Sequence, residues 1–147
     1  METKYELKTI KVKVKLREGE LPTLTTPERV VETVREIYKD LDADQEHFVI
    51  LTLNIQNEVE GFKVVASGMM DQVSVDMKLL FRAALFLGAS GMIIVHNHPS
   101  GHPEPSEEDK ALTRAINQSS RLLGIKLVDH IVIGENKHFS FLEHGLV

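Results

Sequence analysis

A short apolar run followed by a stiff polar loop sets the strongest constraint on the fold. Residues 91–95, Gly-Met-Ile-Ile-Val, contain no polar side chain, and residues 96–106 that follow contain three prolines and end in a serine. An apolar run of this length without a polar face is typical of a β-strand that is covered on both sides. Such strands occur where helices pack on both faces of a sheet, so this run favours an α/β fold.

The periodicity of the remaining chain predicts further helices and strands. Thr26 and Pro27 form a typical helix start, a capping hydroxyl followed by proline, and apolar residues recur at helical spacing as far as Leu41. Further helices are predicted from Ser74 to Gly88 and from Ser106 to Gly124, and strands at residues 48–55, 61–66, 125–133 and 138–142. The first two strands form a hairpin and a crossover follows, so we expect one mixed β-sheet flanked by helices.

An alternating segment near the N-terminus predicts an additional strand. Residues 10–16 place apolar side chains on one face and Lys11, Lys13 and Lys15 on the other, and Arg17 follows. Lysines in this arrangement keep an exposed edge strand from pairing further, which is the simpler interpretation. The same cationic stripe could contact an acidic partner, and this stays open as an alternative.

Length and composition point to one domain whose metal chemistry is limited to nitrogen and oxygen ligands. The 147 residues suit a single domain over residues 1–147, with residues 1–25 as an N-terminal strand extension and residues 26–147 as the core. The net charge of -5 does not favour a nucleic-acid footprint over the whole chain, although a local basic patch stays compatible with it. There are no cysteines, so histidine and carboxylate side chains must hold any metal ion.

No segment of the sequence resembles a membrane span or an export signal. No apolar run approaches the ~18 residues of a spanning helix. Residues 1–8 lack the apolar segment of a signal peptide. We therefore expect a cytoplasmic protein without a membrane partner.

Two histidines and one aspartate form the candidate metal site. His96 and His98 alternate at the end of the predicted apolar strand, so their imidazoles can face a common point. Asp109 lies in the first turn of the next predicted helix. Two imidazoles and one carboxylate are a ligand set of catalytic zinc sites, which leaves a fourth position for water. A His-x-His pair alone is more often structural, but the proline-stiffened loop that joins it to the helix favours a site.

Hydrolysis at such a site also needs a proton acceptor and a donor to the oxyanion. The Ser106-x-x-Asp109 spacing is that of a capping box, in which the serine hydroxyl caps the helix, and the same hydroxyl could donate to an oxyanion. A carboxylate within hydrogen-bond reach of the zinc-bound water would serve as general base. Spacing does not choose among the glutamates that could take this role, which are Glu46, Glu58, Glu60 and Glu104.

The other histidines are interpreted as structural or surface residues. Asp129 and His130 lie within a predicted apolar strand, where a hydrogen bond that satisfies buried polar groups is the simpler explanation. The remaining four are expected at the surface, namely His47, His102, His138 and His144. The triplet His-Asn-His at residues 96–98 is too contiguous for the nucleases named after it, and the absence of cysteine excludes a zinc deaminase.

Taken together, these residues resemble a known motif. Glu46, the His96-x-His98 pair, Ser106 and Asp109 are similar to the JAMM (MPN-type) metalloprotease motif, and the string His-Asn-His-Pro-Ser-Gly-x-Pro-x-Pro-Ser-x-x-Asp resembles the RadC branch of that superfamily. Segments at residues 128–134 and 138–141 are also similar to that branch, so the likeness covers about residues 27–147. The resemblance implies a single JAB/MPN-like domain, a mixed β-sheet flanked by helices and layered as in the cytidine deaminases.

The same resemblance implies roles for individual residues. Zn²⁺ would be held by His96, His98 and Asp109 at the end of the strand that carries the histidines. Glu46 would be the general base, because the glutamate of the superfamily precedes the first core strand, and Ser106 would support the oxyanion. The implied reaction is cleavage of a peptide or isopeptide bond in a protein substrate.

The RadC name is tied to DNA repair, which leaves a second hypothesis open. The sequence resembles short RadC forms that lack the N-terminal helix-hairpin-helix region and occur with mobile elements. A nucleic-acid or partner-binding module with a structural or vestigial metal site is therefore the alternative. Cleavage of DNA at the same zinc centre is a third hypothesis.

Overall fold

Three helices and five strands lie within residues 23–68 and 75–147, the parts of the chain that this computed structural model describes. In chain order they are α1 (Pro27–Tyr38), β1 (Glu46–Leu53), β2 (Val59–Gly68), α2 (Met77–Phe86), β3 (Gly91–Asn97), α3 (Glu107–Leu123), β4 (Lys126–Ile133) and β5 (His138–Ser140). The predicted strand at residues 10–16, its lysines and Arg17 lie outside the described residues.

The strands form one mixed sheet, as predicted. Within the described part of the chain, the sheet has the order β2-β1-β3-β4-β5. Strand β1 pairs antiparallel with both β2 and β3, β3 pairs parallel with β4, and β4 pairs antiparallel with β5. Because β1 lies between β2 and β3, the connection through α2 is the predicted crossover. The central position of β3 explains its apolar sequence, since residues 91–96 are all buried.

Alternation along the central strands directs side chains into two apolar clusters, one on each face of the sheet. One cluster joins the sheet to α2 and α3 through residues such as Ile50, Leu80 and Ile116. The other joins the sheet to α1 through residues such as Leu51 and Val34. Burial of each such side chain stabilises the fold by ~1.5–3 kcal/mol. Helices therefore cover both faces, and the domain is the predicted layered α/β fold.

The helix ends follow the predicted capping residues in two of three cases. The Thr26 hydroxyl caps α1 by accepting from the amide of Arg29 at 3.4 Å, and α3 ends at Gly124 in the left-handed conformation, φ 72°. The cap of α2 is Asp76, whose carboxylate accepts from the Lys78 amide at 2.9 Å, so the predicted cap at Ser74 was wrong. Aspartate caps a helix as well as serine does, and Asp76 stands directly before the apolar turn. Ser74 itself lies outside the described residues.

The helices are short compared with the thickness of a membrane. A helix needs about 20 apolar residues to span a bilayer. Among the helices in the described part of the chain, none is long and apolar enough to do so.

Candidate metal centre

The carboxyl end of β3 carries both histidines of the predicted site. His96 lies inside the sheet, opposite Phe48 of β1 and Val132 of β4, and is fully buried. His98 follows directly after the strand, and its amide donates to the Ile133 carbonyl at 2.8 Å. Since alternate residues of extended chain share a face, the two rings converge, and their Nε2 atoms lie 3.0 Å apart.

The first turn of α3 brings Asp109 to the same point. Ser106 and Asp109 form the predicted capping box, in which the Ser106 hydroxyl accepts from the Asp109 amide at 3.0 Å and Asp109 Oδ2 accepts from the Ser106 amide at 2.8 Å. The carboxylate then lies 3.4 Å from the Nε2 atoms of both His96 and His98. The helix cap therefore fixes the orientation of the Asp109 carboxylate beside the two histidines.

Strand pairing selects one glutamate from the four that the sequence offered. Glu46 is the first residue of β1, two positions before Phe48, which pairs with His96, so both glutamate and histidine lie on the α3 face of the sheet. Its Oε1 atom lies 3.5 Å from His96 Nε2, and the residue is 8% exposed. Glu58 instead accepts from the Asn54 amide group at 2.6 Å in the hairpin turn. The glutamate of this cluster is thus Glu46.

Hydrogen bonds on the far sides of the imidazoles determine which ring nitrogens face one another. His98 Nδ1 lies 2.8 Å from the carbonyl oxygen of His102. A carbonyl can only accept, so Nδ1 carries the proton and Nε2 of the neutral ring is bare. His96 Nδ1 is likewise engaged, 2.7 Å from the ring of His130. The Nε2 atoms of two neutral rings that approach to 3.0 Å repel each other unless a proton or a metal ion lies between them.

The four side chains fit a metal ion of the size and geometry of zinc. Glu46, His96, His98 and Asp109 each offer one ligand atom, and these atoms all lie within 4.8 Å of one another. Two atoms bound at ~2.0–2.2 Å to a tetrahedral zinc ion are about 3.3–3.6 Å apart. The separations of 3.0 Å between the histidines and 3.4 Å from each histidine to Asp109 are close to that spacing.

The charges of the cluster favour a cation at its centre. Burial raises the pKa of Glu46, with partial opposition from His96 and His98. Burial also acts to raise the pKa of Asp109, but hydrogen bonds from His96 and His98 outweigh it and hold that pKa well below its usual range. A hydrogen bond to Asp109 raises the pKa of His98. Because the protonated forms of Glu46 and His98 are favoured, a metal ion that binds here competes with protons.

Comparison with known sequences adds the family to this geometry. The sequence model of the RadC-like JAB domain matches residues 24–146, which is most of the chain and includes all four residues of the cluster. The chain belongs to the RadC-like JAB domain family. The four residues that could hold a metal ion therefore lie within the matched domain.

Similar proteins come from several bacteria. A UPF0758 protein of Desulforamulus reducens is 41% identical over 121 residues, which cover 82% of this chain and 52% of that protein. A UPF0758 protein of Carboxydothermus hydrogenoformans is 46% identical over 103 residues, which cover 70% of this chain and 46% of that protein. The chain spans about half the length of the curated relatives it matches.

Ser106 lies beside the cluster in this RadC-like domain, as the capping box requires. Its hydroxyl oxygen accepts from the Asp109 amide, and its own amide donates to Asp109 Oδ2. The hydroxyl proton takes no part in either bond. It is therefore available to a group that approaches the centre from solvent, where the residue is exposed.

His130 and Asp129 are satisfied by hydrogen bonds inside the fold, as predicted, but sequence reasoning did not place His130 beside His96. The ring is fully buried and contacts His96 directly, and its Nδ1 atom lies 2.6 Å from the Thr113 hydroxyl. Asp129 supports the backbone instead, since its carboxylate accepts from Ser140 and from the amides of His130 and Leu142. The alternation of β4 shows that His130 faces inward, but only the register of β3 with β4 places it beside His96.

One of the four histidines expected at the surface is buried, so that prediction was wrong for His47. Its Nδ1 atom lies 2.6 Å from the Ser67 hydroxyl and its Nε2 atom 2.7 Å from the Asp42 carbonyl. These partners satisfy the polar ring inside the fold, on the opposite face of β1 from Glu46. His102 and His144 are exposed, and His138 is half-buried.

Proposed function

We propose that this chain is a zinc-dependent hydrolase that cleaves a peptide or isopeptide bond in a protein substrate. The observation that carries the proposal is the convergence of two imidazole nitrogens and the Asp109 carboxylate on one point, with a buried glutamate beside it. Nitrogen and carboxylate ligands in this number suit zinc, and three protein ligands are typical of catalytic rather than structural zinc sites. Membership of the RadC-like JAB family supports the same reading.

A zinc ion bound to His96, His98 and Asp109 would supply Lewis acidity to a substrate carbonyl and to a water molecule at its open position. Glu46 would take the proton from that water and return it to the leaving amine. Burial raises the pKa of Glu46 and so brings it closer to neutral pH, where a general acid-base group works best.

Ser106 would complete the chemistry from the helix side. Its hydroxyl proton is not used by the capping box, so it can be donated to an oxygen on which negative charge develops. The capping bonds hold the serine in place before substrate arrives, which is what makes such a donor effective.

Space for a substrate lies next to His98. An open pocket of about 480 Å³ is bordered by residues of three segments, among them Tyr38, Asn97, Gly101 and Glu135. It runs along the loop after β3 and the turn between β4 and β5. Of the four residues of the cluster only His98 borders this pocket, so we propose it as a substrate-binding surface at the edge of the centre.

Metal analysis of the purified protein tests the proposal first. We expect one zinc ion per folded chain and its loss in Asp109→Ala. Folded wild-type protein without a stoichiometric metal ion would contradict the proposal. A vestigial site predicts instead that Asp109→Ala changes neither metal content nor stability.

Hydrolysis is tested with a panel of peptides and isopeptide-linked conjugates, analysed by mass spectrometry. Glu46→Gln should abolish cleavage while the metal content stays at the wild-type level, and Glu58→Gln is the matched control that should cleave normally. Cleavage that survives Glu46→Gln would exclude Glu46 as general base. Cleavage of DNA in place of peptides, lost in Glu46→Gln, would favour the nuclease hypothesis.

Nucleic-acid binding is separated by its dependence on salt. Phosphate contacts make affinity fall steeply as salt concentration rises. Binding of DNA that weakens in this way, and weakens further when Lys11, Lys13 and Lys15 are replaced, would favour the alternative of a binding module. We expect neither result.

A further inference from the structure

Two buried polar side chains, His130 and Thr113, continue a hydrogen-bonded chain behind His96. His96 Nδ1 lies 2.7 Å from His130 Nε2, and His130 Nδ1 lies 2.6 Å from the Thr113 hydroxyl oxygen. The Thr113 hydroxyl lies 2.6 Å from the carbonyl oxygen of Asp109. The chain begins at one candidate ligand and ends at the backbone of another, and it passes through β3, β4 and α3.

The direction of every hydrogen bond in the chain follows from its last member. The Asp109 carbonyl can only accept, so Thr113 donates its single hydroxyl proton to it. The Thr113 oxygen must then accept from His130, which places a proton on His130 Nδ1. The Nε2 atom of the neutral His130 ring is an acceptor, so His96 donates from Nδ1. With its proton on Nδ1, neutral His96 presents a bare Nε2.

We propose that Thr113 and His130 are positioning residues that hold His96 as its Nδ1-protonated tautomer, so that Nε2 is free to bind the metal ion. The inference deepens the proposed function and rests on the metal centre proposed above. According to this inference, Thr113 of α3 and the buried His130 affect the metal affinity although neither is a ligand. Partners behind a ligating histidine commonly change metal affinity by ~10–100-fold when they are lost.

Aromatic packing holds the plane of the His130 ring. The ring stacks on Phe141 with centroids 4.5 Å apart and planes 13° apart, and it meets the edge of Phe48 at 5.7 Å. Phe48 also stacks on His96 at 5.8 Å. The residues Thr113, His96 and His130 are at most 1% exposed, so no water replaces a lost partner without rearrangement.

The tautomers can be measured in the metal-free protein, independently of any activity. Long-range ¹⁵N–¹H correlation spectra, recorded at a pH where the rings are neutral, identify the protonated nitrogen of each histidine. We expect Nδ1–H for both His96 and His130 in the wild type. A wild-type His96 protonated at Nε2 would overturn the proposal, whatever the variants do.

Thr113→Val removes the hydroxyl and keeps the shape of the side chain. The His130 Nδ1–H then has no acceptor, so the ring should move its proton to Nε2 and donate to His96 Nδ1. His96 should then appear as the Nε2–H tautomer, and zinc affinity, measured by competition with a chelator, should fall ~10–100-fold. Unchanged tautomers together with unchanged zinc affinity would overturn the proposal.

Two control variants separate this effect from general damage to the core. Thr113→Ser keeps a hydroxyl and should retain the wild-type tautomers and affinity. Ser120→Ala removes another buried hydroxyl of α3, one that donates to the Asn117 carbonyl at 3.0 Å, and should leave the zinc affinity unchanged. Equal losses of affinity in Ser120→Ala and Thr113→Val would also overturn the proposal.

Different outcomes would contradict the hydrogen-bond chain and the proposed function. Wild-type protein that shows the expected tautomers but binds no zinc contradicts the proposed function and leaves the hydrogen-bond chain intact. Wild-type protein that binds zinc while Thr113→Val binds it equally well and with unchanged tautomers overturns the further inference and leaves the proposed function intact. If Thr113→Val does not fold, the wild-type tautomers and the Thr113→Ser affinity decide.

Discussion

Replacement of Asn97 by alanine should displace Glu46 without touching any candidate metal ligand. The Asn97 side chain accepts from the His47 amide at 2.7 Å and donates to the Gln45 carbonyl at 2.8 Å. These two backbone groups flank Glu46, so one amide side chain clamps the residue from both sides. The clamp lies past the last backbone pairing of β1 with β3, at Phe48 and His96, and extends that pairing to the start of β1.

The expected cost follows from the two hydrogen bonds. Each contributes ~0.5–1.5 kcal/mol net, and we expect Asn97→Ala to lower the free energy of unfolding by about 1–3 kcal/mol, measured by urea denaturation of the metal-free protein. Burial raises the pKa of Glu46, so a glutamate released into solvent should titrate at a lower pH. The side-chain carboxyl resonance of Glu46, followed across pH by NMR, measures this shift without a substrate.

Asn54→Ala is the matched control, because Asn54 is also half-buried and also bridges backbone groups. Its side chain accepts from the amides of Gln56 at 2.9 Å and Glu58 at 3.0 Å, in the hairpin turn between β1 and β2. This variant should lose a similar amount of stability while the pKa of Glu46 stays unchanged. A Glu46 pKa that is the same in Asn97→Ala as in the wild type would refute the clamp, as would an equal change in Asn54→Ala.

Three further predictions concern the loop, the pH dependence and the metal. Gly134→Ala would drive a methyl group into the Gly101 carbonyl and should lower the unfolding free energy by about 1–3 kcal/mol in urea, whereas Gly61→Ala meets only a side-chain end and should cost less. In the metal-free protein, the raised pKa of His98 contributes stability that is fully present below pH ~6.5 and is lost as the pH rises through the folded-state pKa. In the zinc-bound protein, stability should instead rise over that pH range, because zinc binds the deprotonated ring. Urea midpoints that do not change with pH in either series would contradict this prediction. Zinc at 100 times its Kd should add ~2.7 kcal/mol to the unfolding free energy, and Asp109→Asn should lose most of this gain.

The local parts of the centre could be predicted from the sequence. Strand β3 has a fully apolar sequence, and the start of α3 is defined by a serine and an aspartate that cap each other within four residues. Both signals are contained in short segments, so neither requires knowledge of the tertiary structure. The convergence of His96, His98 and Asp109 follows from these two elements and the stiff loop between them.

The parts that depend on strand pairing could not be predicted from residue types. Glu46 and Glu58 are equivalent in sequence, and only the antiparallel register of β1 with β3 places one of them beside His96. His130 comes to the same ring through the parallel register of β3 with β4, in which it pairs with Ile94. Thr113 was part of an ordinary helical pattern, and its role emerges only from the packing of α3 against β4.

The positions of the cluster residues along the chain affect the order in which the site forms during folding. Three of its members, His96, His98 and Asp109, come from one contiguous segment, whereas Glu46 joins them only through a pairing of strands distant in sequence. Contacts close in sequence form sooner than distant ones, because less chain entropy is lost in closing the loop. We therefore infer that, if the centre binds a metal ion as proposed, the segment with His96, His98 and Asp109 can bind it during refolding before strand pairing brings Glu46 beside it. Zinc uptake during refolding, followed beside pulsed hydrogen exchange, would test this, and uptake only after both β1 and β3 are protected would contradict it.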